Sequence, residues 1–175
     1  MKAIFFDKDG TLVDETGVPR TIPKDKALIK ATVEGMRAIQ QHYLQFIVSN
    51  QAWVATGTMT LDEAHQIFEN VTETYLKHGV KITGYAFCSH GTKARCLCRK
   101  PRTGLLEQLT AWYHIEKEDS WFVGNLESDV LTGKNFGIKT CIVENGKTYC
   151  GKERPDIILA DVNTFAEYLR TRGAL

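Results

Sequence analysis

The sequence predicts an α/β fold in which a central, mostly parallel sheet is covered by helices on both faces. Short apolar runs alternate along the chain with stretches of helical periodicity, which is the pattern of such three-layer folds. The first two apolar runs end abruptly in polar residues, as strands of an open α/β sheet do beside a ligand. The 175 residues suffice for one domain with a full core, and we find no linker that would divide residues 1–175.

Each strand is predicted from a short apolar run, and each helix from an apolar stripe of helical period. The strands span residues 3–6, 43–48, 81–87, 121–123, 139–143 and 156–159. The helices span residues 24–41, 60–78, 103–114, 127–136 and 161–170. The predicted caps are Thr60 with Glu63 as a capping box, Thr103, Gly137, and either Asp161 or Asn163. Residues 12–23 are rich in turn formers and are expected to form an irregular flap beside the first strand.

Composition and charge restrict the class of protein. The sequence is 43% hydrophobic and 25% charged, which is ordinary for a soluble globular domain. A formal net charge of +1 gives no indication of a nucleic-acid or membrane partner. No apolar run approaches the length that spans a bilayer, and residues 1–3 lead into the first strand without a signal peptide. We therefore expect a cytoplasmic protein.

The first strand ends in two carboxylates one residue apart, Asp7 and Asp9, followed by Gly10 and Thr11. Alternation along a strand would turn both carboxylates the same way. Gly10 lets the backbone turn sharply, and Thr11 offers a hydroxyl and an N–H to an anion. Acids this close repel each other unless a cation lies between them or one holds a proton. The pattern favours phosphoryl transfer with Mg²⁺, although an acidic β-turn is the alternative for this stretch alone.

Later segments supply candidate partners for a phosphate. Ser49 and the backbone N–H of Asn50 follow the second strand and can bind phosphate oxygens, with a simple turn or cap as the alternative. Pro101 keeps Lys100 out of a helical conformation, so that Lys100 could neutralise the phosphate. Arg99 could hold another part of the substrate through its planar fork. A solvated surface is the alternative for these two basic residues.

A further polar segment runs from Gly124 to Asp129, between a predicted strand and a predicted helix. Asn125 and Asp129 could complete the oxygen shell of Mg²⁺. Acids that merely complement the dipole of the helix are the alternative.

Four motifs follow one another along the chain: Asp-x-Asp-Gly-Thr, a strand-end Ser, a Lys and Gly-Asn-x-x-x-Asp. In this order they resemble the haloacid dehalogenase (HAD) superfamily of phosphotransferases, and the resemblance covers nearly the whole chain. The resemblance implies a Rossmann-like sheet and an aspartyl-phosphate mechanism. It implies that Asp7 is the nucleophile and Asp9 the general acid/base, while Ser49 and Lys100 bind the phosphate. Mg²⁺ would be held by Asp7, the main-chain carbonyl of Asp9 and the loop after Gly124.

One position departs from this pattern, since the family usually has Asp where Asn125 stands. An amide oxygen can still bind Mg²⁺ but carries no charge, so we expect weaker metal binding. Asp129, one helical turn on, could contribute directly or through water. The alternative is a protein that has lost turnover.

Three of the five cysteines lie within eleven residues, and with one histidine they form Cys-x-His, five residues, then Cys-x-Cys. The candidate zinc ligands are Cys88, His90, Cys96 and Cys98. Three thiolates and one imidazole can satisfy tetrahedral Zn²⁺, whereas free thiols beside a surface histidine are the alternative that spacing alone leaves open. A zinc ion in the loop 88–98 would also direct Arg99 and Lys100, which follow it immediately.

Three features narrow the resemblance: the cysteine loop is followed by Arg-Lys-Pro, the second strand leads into Ser49-Asn50-Gln51, and there is no inserted cap domain. Together they are similar to the D,D-heptose 1,7-bisphosphate phosphatase and histidinol-phosphatase branch of the superfamily. This resemblance implies that Zn²⁺ is structural, that Mg²⁺ is catalytic and that Arg99 contacts substrate. The chain departs from the branch near the expected substrate mouth. It has Ala52-Trp53 for Ser-Gly, Thr56 for Arg and Leu126 for Lys.

We therefore predict a Mg²⁺-dependent phosphomonoesterase that acts on a small phosphorylated substrate. A sugar phosphate such as D-glycero-D-manno-heptose 1,7-bisphosphate is the leading class, with histidinol phosphate or a nucleic-acid 3′-phosphate as alternatives. A rival of another class is a phospholigand-binding protein without turnover, which Asn125 would favour. A second rival is an interaction module in which the zinc loop 88–98 docks a partner.

Overall fold

A computed structural model of the protein describes residues 1–14 and 28–175. The described chain contains six strands and five helices. The strands are β1 (Ala3–Phe6), β2 (Leu44–Asn50), β3 (Gly84–Cys88), β4 (Trp121–Gly124), β5 (Lys139–Val143) and β6 (Ile157–Leu159). The helices are α1 (Lys30–Ile39), α2 (Leu61–Lys77), α3 (Gly104–Tyr113), α4 (Glu127–Phe136) and α5 (Val162–Thr171). None of the described helices is both long enough and apolar enough to cross a bilayer.

The six strands form one parallel sheet in the order β3-β2-β1-β4-β5-β6. Strand β1 lies between β2 and β4, where Phe6 pairs with Ile47 on one side and Val123 on the other. All four residues of β1 are fully buried. The predicted α/β fold with a parallel sheet is thus confirmed, and the opening strand lies at its centre.

The sheet separates the two larger hydrophobic clusters of the core. Ile4 and Phe6 pack with apolar residues of α1, α2 and α5, whereas Ala3 and Phe5 pack with those of α3 and α4. Because neighbouring residues of a strand face opposite sides, a strand covered on both faces is apolar throughout, as residues 3–6 are. The three predicted layers are therefore present.

Several predicted boundaries hold and others shift. The capping box of Thr60 and Glu63 is formed, and Gly137 ends α4 in the left-handed conformation. Asp161, rather than Asn163, caps α5 by accepting a 2.7 Å hydrogen bond from the backbone N–H of Thr164.

Two cap and strand predictions are wrong in detail. Thr103 precedes α3, but its hydroxyl donates to the Glu107 carboxylate (2.6 Å) and does not cap the backbone. Strand β3 begins at Gly84 rather than Lys81, because the backbone N–H of Lys81 donates to the side chain of Gln40 and not to a neighbouring strand.

The predicted flap and first helix fall partly on residues 15–27, which lie outside the described chain. Helix α1 begins at Lys30, so Leu28 and Ile29 precede it, against the prediction. Leu28 instead forms an isolated antiparallel bridge with Val13. That the whole chain is one domain stays a prediction.

Candidate active site

The predicted phosphate-site residues meet at the carboxyl edge of the sheet. Asp7 directly follows β1, and its backbone N–H still donates to the carbonyl of Val123 in β4 (2.9 Å). Ser49 lies near the end of β2 and is 1% exposed. Lys100 comes from the loop between β3 and α3, and Asn125 follows β4. Parallel strands bring these distant segments together because all of their carboxyl ends lie on the same edge.

Lys100 connects the elements of the site. Its Nζ donates to Asp7 Oδ1 (2.7 Å), to Asp129 Oδ1 (2.7 Å) and to the carbonyl of Val48 (3.1 Å). All three charged side chains are nearly inaccessible to solvent. The position of Lys100 beside Asp7 is the one that a cation needs in order to stabilise charge on a phosphate bound there.

Burial and charge together perturb the ionisation of this cluster. Burial, together with the nearby charges of Asp129 and Asp9, raises the pKa of Asp7 from 3.8 to about 7, although Lys100 opposes the shift. Burial alone would lower the pKa of Lys100, but Asp129 and Asp7 raise it above its ordinary value. One cation thus faces two close carboxylates, and the excess negative charge favours a further cation at this edge.

Asn50 holds the main chain of Lys100 through both ends of its side-chain amide. Its Oδ1 accepts from the backbone N–H of Lys100 (3.0 Å), and its Nδ2 donates to the carbonyl of Lys100 (3.1 Å). The sequence indicated only a backbone contact of Asn50 with phosphate. The side chain adds a function that residue spacing does not reveal, which is to fix the lysine to the end of β2.

Both carboxylate oxygens of Asp9 have partners in neighbouring side chains. Oδ1 accepts from Lys8 Nζ, and Oδ2 accepts from Gln51 Nε2 at 3.1 Å. The same Gln51 nitrogen donates to Ser49 Oγ at 3.0 Å. Lys8 and Gln51 are both buried. Neither residue was predicted to have a role, because a lysine or glutamine next to a motif is not a signal in itself.

The turn after Asp9 fits closely against Asn125. Gly10 has φ +79°, and a Cβ at this position would collide with the Asn125 amide. Thr11 Oγ1 donates to Asn125 Oδ1 (3.2 Å). From the end of β5, Asn145 Nδ2 donates to the carbonyl of Gly10 (2.8 Å), a contact that the sequence analysis missed. Only a residue without a Cβ can turn here at positive φ so close to Asn125.

Asp129 is 1% exposed, and both of its carboxylate oxygens are engaged. Oδ2 accepts from the backbone N–H groups of Asn125 (3.2 Å) and Leu126 (3.0 Å), which caps the start of α4. Oδ1 pairs with Lys100. Its contacts therefore fix the loop that carries Asn125.

The side chains at this edge fit the requirements of Mg²⁺. Asp7 and Asn125 present carboxylate and amide oxygens, which are ligands that this ion accepts, and the site carries excess negative charge.

The four candidate zinc ligands form a compact cluster in which every ligand atom lies within 4.8 Å of the others. Cys88 Sγ is 3.7 Å from Cys96 Sγ and 3.5 Å from His90 Nδ1, which in turn is 3.2 Å from Cys98 Sγ. Around tetrahedral Zn²⁺ with Zn–S bonds of about 2.3 Å, sulfur atoms stand about 3.8 Å apart. The cluster therefore has the dimensions of a zinc site.

Arg99 joins this cluster to the phosphate site. It follows Cys98 and precedes Lys100 in the chain, and its Nη1 donates to the carbonyl of His90 (3.3 Å). Arg99 is partly exposed, so that its remaining donors can reach a ligand.

The chain is similar in sequence to known proteins. A family model described as HAD-hydrolase-like matches residues 97–165. The D-glycero-beta-D-manno-heptose-1,7-bisphosphate 7-phosphatase of Pasteurella multocida is 32% identical over an alignment of 171 positions, and the match covers 92% of each chain. The histidine biosynthesis bifunctional protein HisB of Legionella pneumophila is 28% identical, and the match covers 85% of this chain and 43% of that protein.

The fold is also similar to that of a solved phosphatase. The crystal structure of D,D-heptose 1,7-bisphosphate phosphatase from B. bronchiseptica, complexed with magnesium and phosphate, superposes with a TM-score of 0.86. It is 21% identical in sequence, and the match covers 98% of this chain and 99% of that one.

Proposed function

This chain belongs to the HAD-like family of phosphatases, and we propose that it is a Mg²⁺-dependent phosphomonoester hydrolase that acts on a small sugar phosphate. The observation that carries the proposal is the contact of Lys100 Nζ with Asp7 Oδ1 at the carboxyl edge of the sheet, with Ser49 on the neighbouring strand. These residues would supply the nucleophile, the cation and the hydroxyl donor of a phosphate site at this edge.

The reaction divides into two displacements at phosphorus. In the first, a carboxylate oxygen of Asp7 forms a bond to phosphorus as the bond to the ester oxygen breaks, and Asp9 donates a proton to that oxygen. In the second, Asp9 takes a proton from water, whose oxygen attacks phosphorus and releases Asp7 and inorganic phosphate. Lys100 and Ser49 stabilise the charge on the equatorial oxygens in both steps.

Asp7, the main-chain carbonyl of Asp9 and Asn125 would hold Mg²⁺, with Asp129 fixing the loop or contributing through water. When bound, the ion would neutralise charge on the transferred phosphoryl group. In the cysteine loop, Zn²⁺ would be structural, because four protein ligands leave no open coordination position.

The heptose bisphosphate that names the Pasteurella relative is the leading substrate, and Arg99 is the candidate contact for the part of it beyond the transferred phosphate. Histidinol phosphate is the second candidate, which the match to HisB supports. A phospholigand-binding protein without turnover remains the rival that the uncharged Asn125 favours.

Phosphate release from D-glycero-β-D-manno-heptose 1,7-bisphosphate and from histidinol phosphate, with and without Mg²⁺, tests the proposal. We expect Mg²⁺-dependent release of phosphate from the heptose bisphosphate. The Asp7→Asn variant should lose this activity, because an amide cannot accept the phosphoryl group. The matched control Asp119→Asn changes an exposed carboxylate outside the site and should keep the activity. Absence of turnover on both esters, with phosphate binding retained, would support the binding protein instead.

A further inference from the structure

The side chain of Gln51 lies between two groups that the proposed reaction uses. Gln51 directly follows β2 and is 3% exposed. Its Nε2 is 3.1 Å from Asp9 Oδ2 and 3.0 Å from Ser49 Oγ. The amide nitrogen, and not the amide oxygen, must face Asp9, because a carboxylate only accepts hydrogen bonds. One NH₂ group thus serves both the acid/base residue and the phosphate-binding hydroxyl.

This contact determines which way the Ser49 hydroxyl points. Because an amide nitrogen only donates, Ser49 Oγ must accept from Gln51. The single hydroxyl proton of Ser49 is then left for another acceptor, and a phosphate oxygen bound beside Asp7 would be that acceptor. Without the Gln51 donor, nothing in this contact keeps the hydroxyl proton free, and the lone pairs of Ser49 Oγ could face the anion.

The contact also fixes the carboxylate of Asp9. Its side chain is 43% exposed, so water could compete for both oxygens. Lys8 Nζ occupies Oδ1, and Gln51 occupies Oδ2, so that rotation of the carboxylate breaks at least one of these bonds. The backbone of Gln51 is itself anchored, since its N–H donates to the carbonyl of Cys88 (2.8 Å).

We propose that Gln51 is a positioning residue for phosphoryl transfer: its amide aligns the Asp9 carboxyl with the leaving oxygen and directs the Ser49 hydroxyl at the phosphate. The inference rests on the proposed phosphatase function. Gln51 transfers no proton and does not touch phosphorus, and its effect passes through Asp9 and Ser49.

The test compares two esters whose leaving groups differ in their need for a proton. An alkyl phosphate such as heptose 1,7-bisphosphate at its 7-position releases a poor leaving group that Asp9 must protonate, whereas 4-nitrophenyl phosphate releases a stable phenolate. For each ester, kcat/KM depends only on the steps up to and including the first irreversible one. The ratio of kcat/KM for the alkyl ester to that for the aryl ester therefore reports proton transfer in the first displacement. Loss of the Ser49 contribution affects both esters and leaves this ratio unchanged.

Gln51→Met removes the donor and keeps the length of the side chain. We expect the alkyl-to-aryl ratio of kcat/KM to fall about tenfold or more, since a misaligned acid accelerates the reaction of the alkyl ester less. The matched control is Gln45→Met on the same strand, which removes another buried glutamine at the far end of β2. The control should leave the ratio at its wild-type value, even if it lowers stability.

The outcomes separate the two hypotheses. A wild-type protein that hydrolyses neither ester overturns the proposed function. A wild-type protein that hydrolyses both, with a Gln51→Met variant whose ratio stays within about twofold, overturns the role of Gln51 alone. A fall in the ratio that Gln45→Met reproduces also overturns it, because the effect would then be general to the strand.

Discussion

At the scale of single residues, Asn125 is the position where the site departs most from a fully acidic metal site. Its amide oxygen already accepts a hydrogen bond from Thr11, and its nitrogen lies against Gly10. A carboxylate of the same shape fits the same space. The backbone therefore needs no rearrangement for this position to carry a charge.

We predict that Asn125→Asp tightens Mg²⁺ binding about tenfold, because a charge replaces a dipole beside the ion. A Mg²⁺ titration followed by calorimetry measures the affinity. The control Asn70→Asp adds the same charge on α2 and should leave the affinity unchanged. Equal or weaker binding by the Asn125 variant would contradict its assignment as a ligand.

The residues of this site differ in how far sequence could identify them. Asp7, Asp9 and Lys100 belong to spaced motifs, and the strand pattern places Asp7 and Asp9 at the end of a strand, on one edge of a sheet. Gln51 and Asn145 were missed because their contacts depend on where two loops meet in space. The only sequence signal at Asn145 is the Asn-Gly pair, which indicates a turn and matches its positive φ of 46°.

At the scale of elements, the cysteine loop and the end of β2 form one unit. In the register of β2 and β3, Asn50 pairs with Cys88, the first candidate zinc ligand. The side chain of Asn50 also binds the main chain of Lys100, two residues after the last ligand, Cys98. A disturbance of the loop is thus expected to reach Lys100, the lysine of the proposed site.

We predict that Cys98→Ser lowers the zinc content of the purified protein and, with it, both thermal stability and phosphatase activity. Metal analysis, thermal unfolding and phosphate release measure the three effects. Cys150→Ser is the matched control, since Cys150 is exposed and outside the cluster. Full activity in a zinc-free Cys98 variant would show that the loop does not position Lys100.

Element boundaries were predictable where a cap or an apolar period marks them. The ends of α4 and β5 agree with the prediction because Gly137 stops the helix and an apolar run starts directly after it. The predicted start of α1 was wrong because Leu28 and Ile29 continue the helical period of the apolar stripe. In the structure, Leu28 pairs with Val13, a long-range contact that overrides this local pattern.

At the scale of the whole molecule, Lys100 contacts elements from both halves of the chain. Its ammonium contacts the segment after β1, the strand β2 and the helix α4. Such a buried ion cluster is costly to break, because removal of one partner leaves the other charges desolvated without compensation.

We predict that Lys100→Met lowers the free energy of unfolding by about 3–5 kcal/mol, because Asp7 and Asp129 then face each other without a cation. Thermal unfolding should show a clear fall in Tm, and Mg²⁺ should restore part of it by binding the two uncompensated carboxylates. In the control Lys139→Met, which removes a surface ion pair with Asp119, the change should be within about 1 kcal/mol. Similar stabilities for the two variants would contradict the central role of Lys100.

The overall architecture was the most predictable level, since it depends on many weak signals that agree. Alternating strands and helices, with an opening strand apolar at every position, leave few arrangements besides a parallel sheet covered on both faces. The order of the strands, with β1 between β2 and β4, carries no such local signal. It became visible only in the hydrogen-bond register.

The contact between Asn145 and Gly10 has a consequence for synthesis of the chain. The proposed nucleophile Asp7 is synthesised well before Asn145, yet the turn that follows Asp7 is held by this side chain from beyond β5. The proposed site is therefore complete only after Asn145 has emerged from the ribosome. A nascent fragment that stops before this asparagine carries every proposed catalytic group but lacks the tether that sets the shape of its first loop.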